Sequence, residues 1–183
     1  MKAIFELSEN YKEIQYIDFN KKKYLISFNI LIIIFTFLFF YTLRISMCPL
    51  FSIKSIIVLV ILLYVFMLLH ELIHGFFIKV FSKKKAIYNF TFFYASAGAK
   101  DRYFDKSSYI IIALAPVIIL SIILIFILNN VSVEYYNAML LLFALNFSGA
   151  IGDLYISLIT LLKPKDTFIL DEGESMHFYT KTP

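Results

Sequence analysis

Two histidines and a glutamate stand close together in the motif His70-Glu71-Leu72-Ile73-His74. Histidines four residues apart lie on one face of an α-helix, about one turn apart, so both imidazoles can reach a single cation. The pattern H-E-x-x-H on a helix is the metalloprotease form of this arrangement, and it predicts Zn²⁺ as the metal. Glu71 points in a different direction from the two histidines. It is the candidate base for a water that zinc has made acidic.

A catalytic zinc usually takes three protein ligands and leaves one position for water. Asp153 is the candidate for the third ligand, because it is the one other ionisable residue deep inside an apolar segment. Asn146 precedes Asp153 by seven residues, within about 20° of the same helical face, and is a candidate to bind substrate backbone or an oxyanion. The alternatives are that Asp153 is an unrelated buried acid and that Asn146 is an amide that packs helices.

The composition indicates where these residues must lie. Hydrophobic residues make up 61% of the 183 residues, charged residues make up 16%, and the mean hydropathy is +0.81. A soluble domain would need a more polar surface. Charges and imidazoles in hydrocarbon are costly unless they are paired, ligated or hydrated, so an intramembrane cluster of them predicts a functional site.

Four apolar segments are each long enough to cross a bilayer core. They run approximately over residues 24–43, 55–81, 109–128 and 133–162. We therefore predict an all-α polytopic membrane protein with a cytoplasmic leader (1–23), a four-span membrane domain (24–162) and a cytoplasmic tail (163–183) that can form a small hairpin.

The basic residues are distributed unevenly among the connections. Of the 17 Lys and Arg, 15 fall in the leader, in the second connection counted from Lys79, and in the tail. The positive-inside rule then puts both termini in the cytoplasm, and the membrane accounts for the basic charge without a nucleic acid partner. In this orientation His74 and Asp153 lie at matching depths, about 14 Å before Lys83 and about 15 Å before Lys163 at 1.5 Å per residue.

Residues 87–99, between the second and third spans, are too short to cross the membrane as a helix. Their aromatic side chains recur with a period of two, which predicts a re-entrant or interfacial β-hairpin. Phe92 and Tyr94 in this segment are candidate substrate-binding residues. The alternative is an aromatic belt at the membrane interface.

The chain resembles the site-2 protease class of intramembrane zinc metalloproteases, and more closely a family of short bacterial membrane proteins described as zincin peptidases. The residues that carry the resemblance are 70–75, 146–153, Pro164, 171–173 and 178–179. Within them, Phe147 follows Asn146 and Gly152 precedes Asp153, whereas site-2 proteases usually have Asn-Pro and Asp-Gly around the third ligand.

The resemblance implies zinc held by His70, His74 and Asp153, with Glu71 as general base. It further implies cleavage of a peptide bond in or near a bacterial cytoplasmic membrane, and a hairpin that presents substrate as an added strand. The expected partners are the lipid bilayer and a membrane-associated peptide or protein substrate. Two other functions are compatible with the residues: an inactive membrane regulator that keeps the fold, and a metal-dependent hydrolase of a lipidic substrate.

Overall fold

The computed structural model describes residues 3–43, 52–90 and 95–181. The helices in these ranges are α1 (Lys22–Thr42), α2 (Ile53–Ser82), α3 (Lys106–Asn130), α4 (Val133–Gly149) and α5 (Ile151–Leu162). The strands are β1 (Ala3–Ile4), β2 (Tyr11–Asp18), β3 (Ile87–Phe90), β4 (Ala95–Gly98), β5 (Tyr103–Asp105), β6 (Phe168–Asp171) and β7 (Ser175–Lys181).

The prediction of four apolar spans is confirmed. Among the described residues, four helical segments are long and apolar enough to cross a membrane: Lys22–Thr42, Ile53–Ser82, Lys106–Asn130 and Val133–Leu162. Helices α2 and α3 each begin with an N-cap. The Ser52 side chain accepts a hydrogen bond from the Ser55 amide, and the Asp105 side chain accepts one from the Ser108 amide. The fourth segment is divided at Ala150 into α4 and α5.

The helices pack through large apolar side chains. α2 contacts α3 and α4, α3 also contacts α5, and α1 lies against α4. Buried residues from three helices, such as Phe66, Leu124 and Leu142, form one core cluster. Many other apolar side chains on the same helices point outward, among them Ile33 and Phe126. Outward-facing apolar side chains of this kind are expected of helices in lipid.

The all-α prediction is wrong in one respect, because the leader, the second connection and the tail join in a five-stranded antiparallel sheet. Its strand order is β1-β5-β6-β7-β2, so the tail forms much more than a small hairpin. The sequence did not predict this sheet because two of its strands, β1 and β5, have only two and three residues and pair only with strands distant in sequence. Segments this short show no measurable periodicity.

The sheet packs onto the ends of the helices that carry the site. Phe104, Ile169 and Phe178 of the sheet are fully buried, in one cluster with Ile78 of α2 and Ile112 of α3. This shared core links the sheet rigidly to two of the membrane-type helices.

The predicted hairpin is confirmed as the two-stranded pair β3–β4, in which Ile87 lies opposite Gly98 and Asn89 lies opposite Ser96. The candidates Phe92 and Tyr94 lie outside the described residues.

Candidate metal centre

Helix α2 runs without interruption past the H-E-x-x-H motif, so helical geometry alone sets the relative positions of its side chains. The Nε2 atoms of His70 and His74 are 3.1 Å apart. His70, Glu71 and His74 each offer a ligand atom, and these atoms all lie within 4.8 Å of one another. Glu71 and His74 are each only 8% exposed, so the group is sheltered from surrounding water.

Asp153, which follows His70 by 83 residues, also lies next to this group. The break at Ala150 places Asp153 in the first turn of α5. One carboxylate oxygen of Asp153 lies 3.0 Å from His70 Nε2, and the other lies 3.4 Å from His74 Nε2. The structure therefore brings together the acid and the two imidazoles that the depth comparison had placed at the same level.

The spacing of these atoms fits a tetrahedral zinc site. Zn–N and Zn–O bonds of about 2.05 Å put neighbouring ligand atoms of a tetrahedron about 3.3 Å apart. The two nitrogens are 3.1 Å apart, and each lies near a different oxygen of Asp153, His70 Nε2 at 3.0 Å from Oδ2 and His74 Nε2 at 3.4 Å from Oδ1. Two imidazoles and a carboxylate are also ligand types that zinc accepts. His70, His74 and Asp153 are therefore candidate metal ligands, beside the His70, Glu71 and His74 group.

A proline in α3 explains how His74 is oriented. The Nδ1 atom of His74 donates a hydrogen bond to the Ile112 carbonyl over 2.9 Å. In an α-helix that carbonyl would accept from the amide four residues later, but this residue is Pro116, which has no N–H. His74 thus donates to a carbonyl that lacks its helical donor. With the proton on Nδ1, the Nε2 lone pair faces His70 and Asp153, as a metal ligand requires.

Gly75 forms a notch in α2 beside the motif. Glu71 and Gly75 are four residues apart and therefore share a helical face. The Tyr88 hydroxyl of β3 packs against Gly75 so closely that a Cβ there would overlap it. A groove of about 430 Å³ runs between α2 and β3, with Leu72, Gly75 and Tyr88 in its wall. Leu72 and Gly75 directly follow Glu71 and His74 in the chain.

Two polar residues near the centre, Tyr109 and Asp171, were not predicted from the sequence as hydrogen-bond partners. Tyr109 of α3 donates to the Asp171 carboxylate of β6 over 2.7 Å, and the Gly173 amide donates to its other oxygen over 2.8 Å. Burial raises the pKa of the Asp171 carboxyl, whereas the bonds from Tyr109 and Gly173 and the charge of His74 act in the opposite direction. The only signal in the sequence was that Asp171 belongs to a tail segment that carried the resemblance.

The side chain of Asn146 lies against α3. Its Nδ2 donates to Ser121 Oγ over 3.0 Å, which packs α4 against α3. The prediction that Asn146 and Asp153 share a helical face assumed one continuous helix. The helix is interrupted at Ala150, between these two residues, so that assumption does not hold.

Two observations define the class of this protein. It has four helices that are long and apolar enough to cross a membrane, and one of them carries a His-Glu-His group that can hold a metal ion. The protein is therefore of the helical membrane class with an H-E-x-x-H-like site. The family described as "putative zincin peptidase" matches residues 63–168. The chain belongs to this family, since the match covers more than half of its length. Zincins use zinc, in agreement with the His-Glu-His group. Neither the curated proteins nor the solved structures contain a match to the chain.

Proposed function

We propose that the protein is a zinc-dependent membrane endopeptidase, similar to site-2 proteases, that cleaves a peptide bond in or near the bilayer. The observation that carries the proposal is the approach of Asp153 to His70 and His74 from a separate helix. The three side chains complete the ligand number of a catalytic zinc and leave one position open.

Each residue has a distinct task in this proposal. His70, His74 and Asp153 hold the metal, and the Ile112 carbonyl keeps the His74 ring in the ligand tautomer. When bound, zinc supplies Lewis acidity, which makes a water more acidic and polarises a carbonyl. Glu71 takes a proton from the attacking water and then gives it to the amine that leaves when the peptide C–N bond breaks. The buried position of Glu71 limits competing solvent.

Substrate is proposed to enter along the groove between α2 and β3. Gly75 in the groove wall shares a helical face with Glu71, so a chain bound there would pass close to the Glu71 side of the helix. An extended peptide can add to the edge of a two-stranded hairpin through main-chain hydrogen bonds. Phe92 and Tyr94 remain candidates to contact its side chains.

The sheet supports the proposed topology. Strands β2, β5 and β7 come from the leader, the second connection and the tail, and strands of one sheet must lie on the same side of a membrane. These three segments also carry 15 of the 17 Lys and Arg. We therefore propose a multi-pass protein of the bacterial cytoplasmic membrane, with both termini in the cytoplasm.

The decisive test is Glu71→Gln in protein reconstituted into liposomes with a panel of membrane-anchored peptides. Loss of a general base lowers the rate about 10²- to 10⁴-fold, so we expect cleavage to fall by that factor while the zinc content stays at one per chain. Glu9→Gln is the matched control, because Glu9 is exposed on the leader. Cleavage by Glu71→Gln at the wild-type rate would refute the role of Glu71.

Two results would favour the other functions. Wild-type protein that binds zinc but cleaves none of the peptides would support a regulator that keeps the fold without turnover. Zinc-dependent release of fatty acid or headgroup from the liposomes would support a lipid hydrolase.

A further inference from the structure

The β3–β4 hairpin is held on one face by helix α2. Tyr88 projects from this face, and its hydroxyl occupies the notch at Gly75. Ala97, opposite Tyr88 in the register, is buried on the same face. The hairpin is therefore seated on the helix that bears the H-E-x-x-H motif, one residue beyond His74.

The other face of the hairpin is covered by the turn between β6 and β7, which we call the C-terminal turn (171–174). A Cβ on Gly98 would overlap the backbone of Glu172 and Gly173, so only glycine permits this approach. Gly173 itself has a φ of +91°, in the left-handed region that favours glycine. A Cβ built on Gly173 would lie 3.2 Å from Ser96 Oγ.

Polar contacts tie the same two segments together. The Asn89 amide donates to the Glu174 carboxylate, and the Ala99 amide donates to the Asp171 carbonyl over 2.7 Å. Asn89, Ser96 and Gly98 alternate with Tyr88 and Ala97 along the strands, so the C-terminal turn and α2 contact opposite faces. The hairpin is thus enclosed between them.

Helix α3 anchors the C-terminal turn. The Asp171 carboxylate accepts from Tyr109, and one helical turn further on the Ile112 carbonyl accepts from His74. One helix therefore fixes both the C-terminal turn and a metal-binding candidate. Any displacement of the turn relative to the site must break a buried hydrogen bond at Tyr109.

We infer that the C-terminal turn is a positioning element of the site, which clamps the β3–β4 hairpin against α2 and so sets where substrate is presented. The part of this inference that concerns presentation of substrate rests on the proposed function. The clamp itself rests on the contacts around Gly75, Gly98 and Gly173 and on the hydrogen bonds of Asn89 and Ala99. The tail is then a working part of the membrane enzyme, although it lies far from the motif in sequence.

The test substitutes Gly98→Ala, with Gly149→Ala as the matched control because nothing lies within 4 Å of a Cβ built on Gly149. Loss of one packed and hydrogen-bonded contact corresponds to about a 10-fold change in an equilibrium. In Gly98→Ala we expect amide hydrogen exchange in β3 to accelerate about 10-fold. The KM for the membrane-anchored peptides should rise by a similar factor, with kcat changed less than about twofold. Zinc content should stay at the wild-type level.

A second variant guards against misfolding of Gly98→Ala. Asn89→Ala removes only the hydrogen bond to Glu174, and we expect about a threefold effect on both exchange and KM. Unchanged exchange in β3 in both variants would overturn the clamp. Faster exchange with unchanged KM would overturn its role in presenting substrate.

Failure of the proposed function would look different. It would appear as absence of cleavage by the wild type and by every variant, and the exchange measurements would then decide the clamp alone.

Discussion

The metal centre and the five-stranded sheet differ in how far apart their partners lie in the sequence. His70 and His74 are four residues apart on one helix, whereas the sheet pairs Ile17 with Met176. Residues on one helix are placed by its regular geometry, and helices keep their backbone bonds internal even in lipid. The sheet depends on the pairing of three segments that are far apart in the chain. Local spacing is therefore readable in the chain, and long-range pairing is not.

The two regions also differ in what stabilises them. The centre is a set of polar side chains that needs a cation or hydrogen bonds to compensate for burial. The sheet is held by strand pairing and by fully buried side chains such as Phe104 and Phe178. Substitutions should therefore separate the two regions, with metal binding lost in one set of variants and local stability lost in the other.

The largest effect is expected for His70→Ala, because it removes one of the three proposed zinc ligands. We expect stoichiometric zinc binding, measured by elemental analysis of the purified protein, to be lost. Hydrogen exchange in β7 should stay as in the wild type. His177→Ala is the control, since His177 lies on the sheet near Glu13. Full zinc content in His70→Ala would contradict the assignment.

Phe178→Ala should affect the sheet alone. Truncation of a fully buried phenylalanine costs about 3–5 kcal/mol, which we expect to see as a lower opening free energy of β6 and β7 in hydrogen exchange. Zinc content should be unchanged. Phe126→Ala on the exposed side of α3 serves as the comparison. Loss of zinc in Phe178→Ala would show that the two regions are not separable.

A smaller effect is expected for Pro116→Ala, which restores an N–H four residues after Ile112. The new helical bond competes with His74 for the Ile112 carbonyl, and we expect the Kd for zinc to rise about 10-fold, as for loss of an outer hydrogen bond to a ligand. The shift should be accompanied by a change in the His74 tautomer, measured by ¹⁵N NMR. Pro164→Ala is the control. An unchanged tautomer and Kd would mean that Pro116 does not orient the ring.

Several features of the site and fold were predictable for definite reasons. The four spans follow from uninterrupted apolar length, and the pairing of His70 with His74 follows from helical periodicity. The proximity of Asp153 followed from counting residues to the basic ends of two spans, a measure that survives the helix break at Ala150. The role of Asn146 in binding substrate stays a prediction, and in the structure its amide donates to Ser121 of α3.

The sequence by itself determined the membrane-type helices, the metal-binding motif and the aromatic hairpin, because each depends on composition or on spacing within one segment. Only the tertiary structure decided that the Ile112 carbonyl freed by Pro116 meets His74, and that the C-terminal turn closes over Gly98. The first contact joins residues 38 positions apart in the chain, and the second joins residues about 75 positions apart. No periodicity encodes them, since they depend on how whole helices and strands pack together.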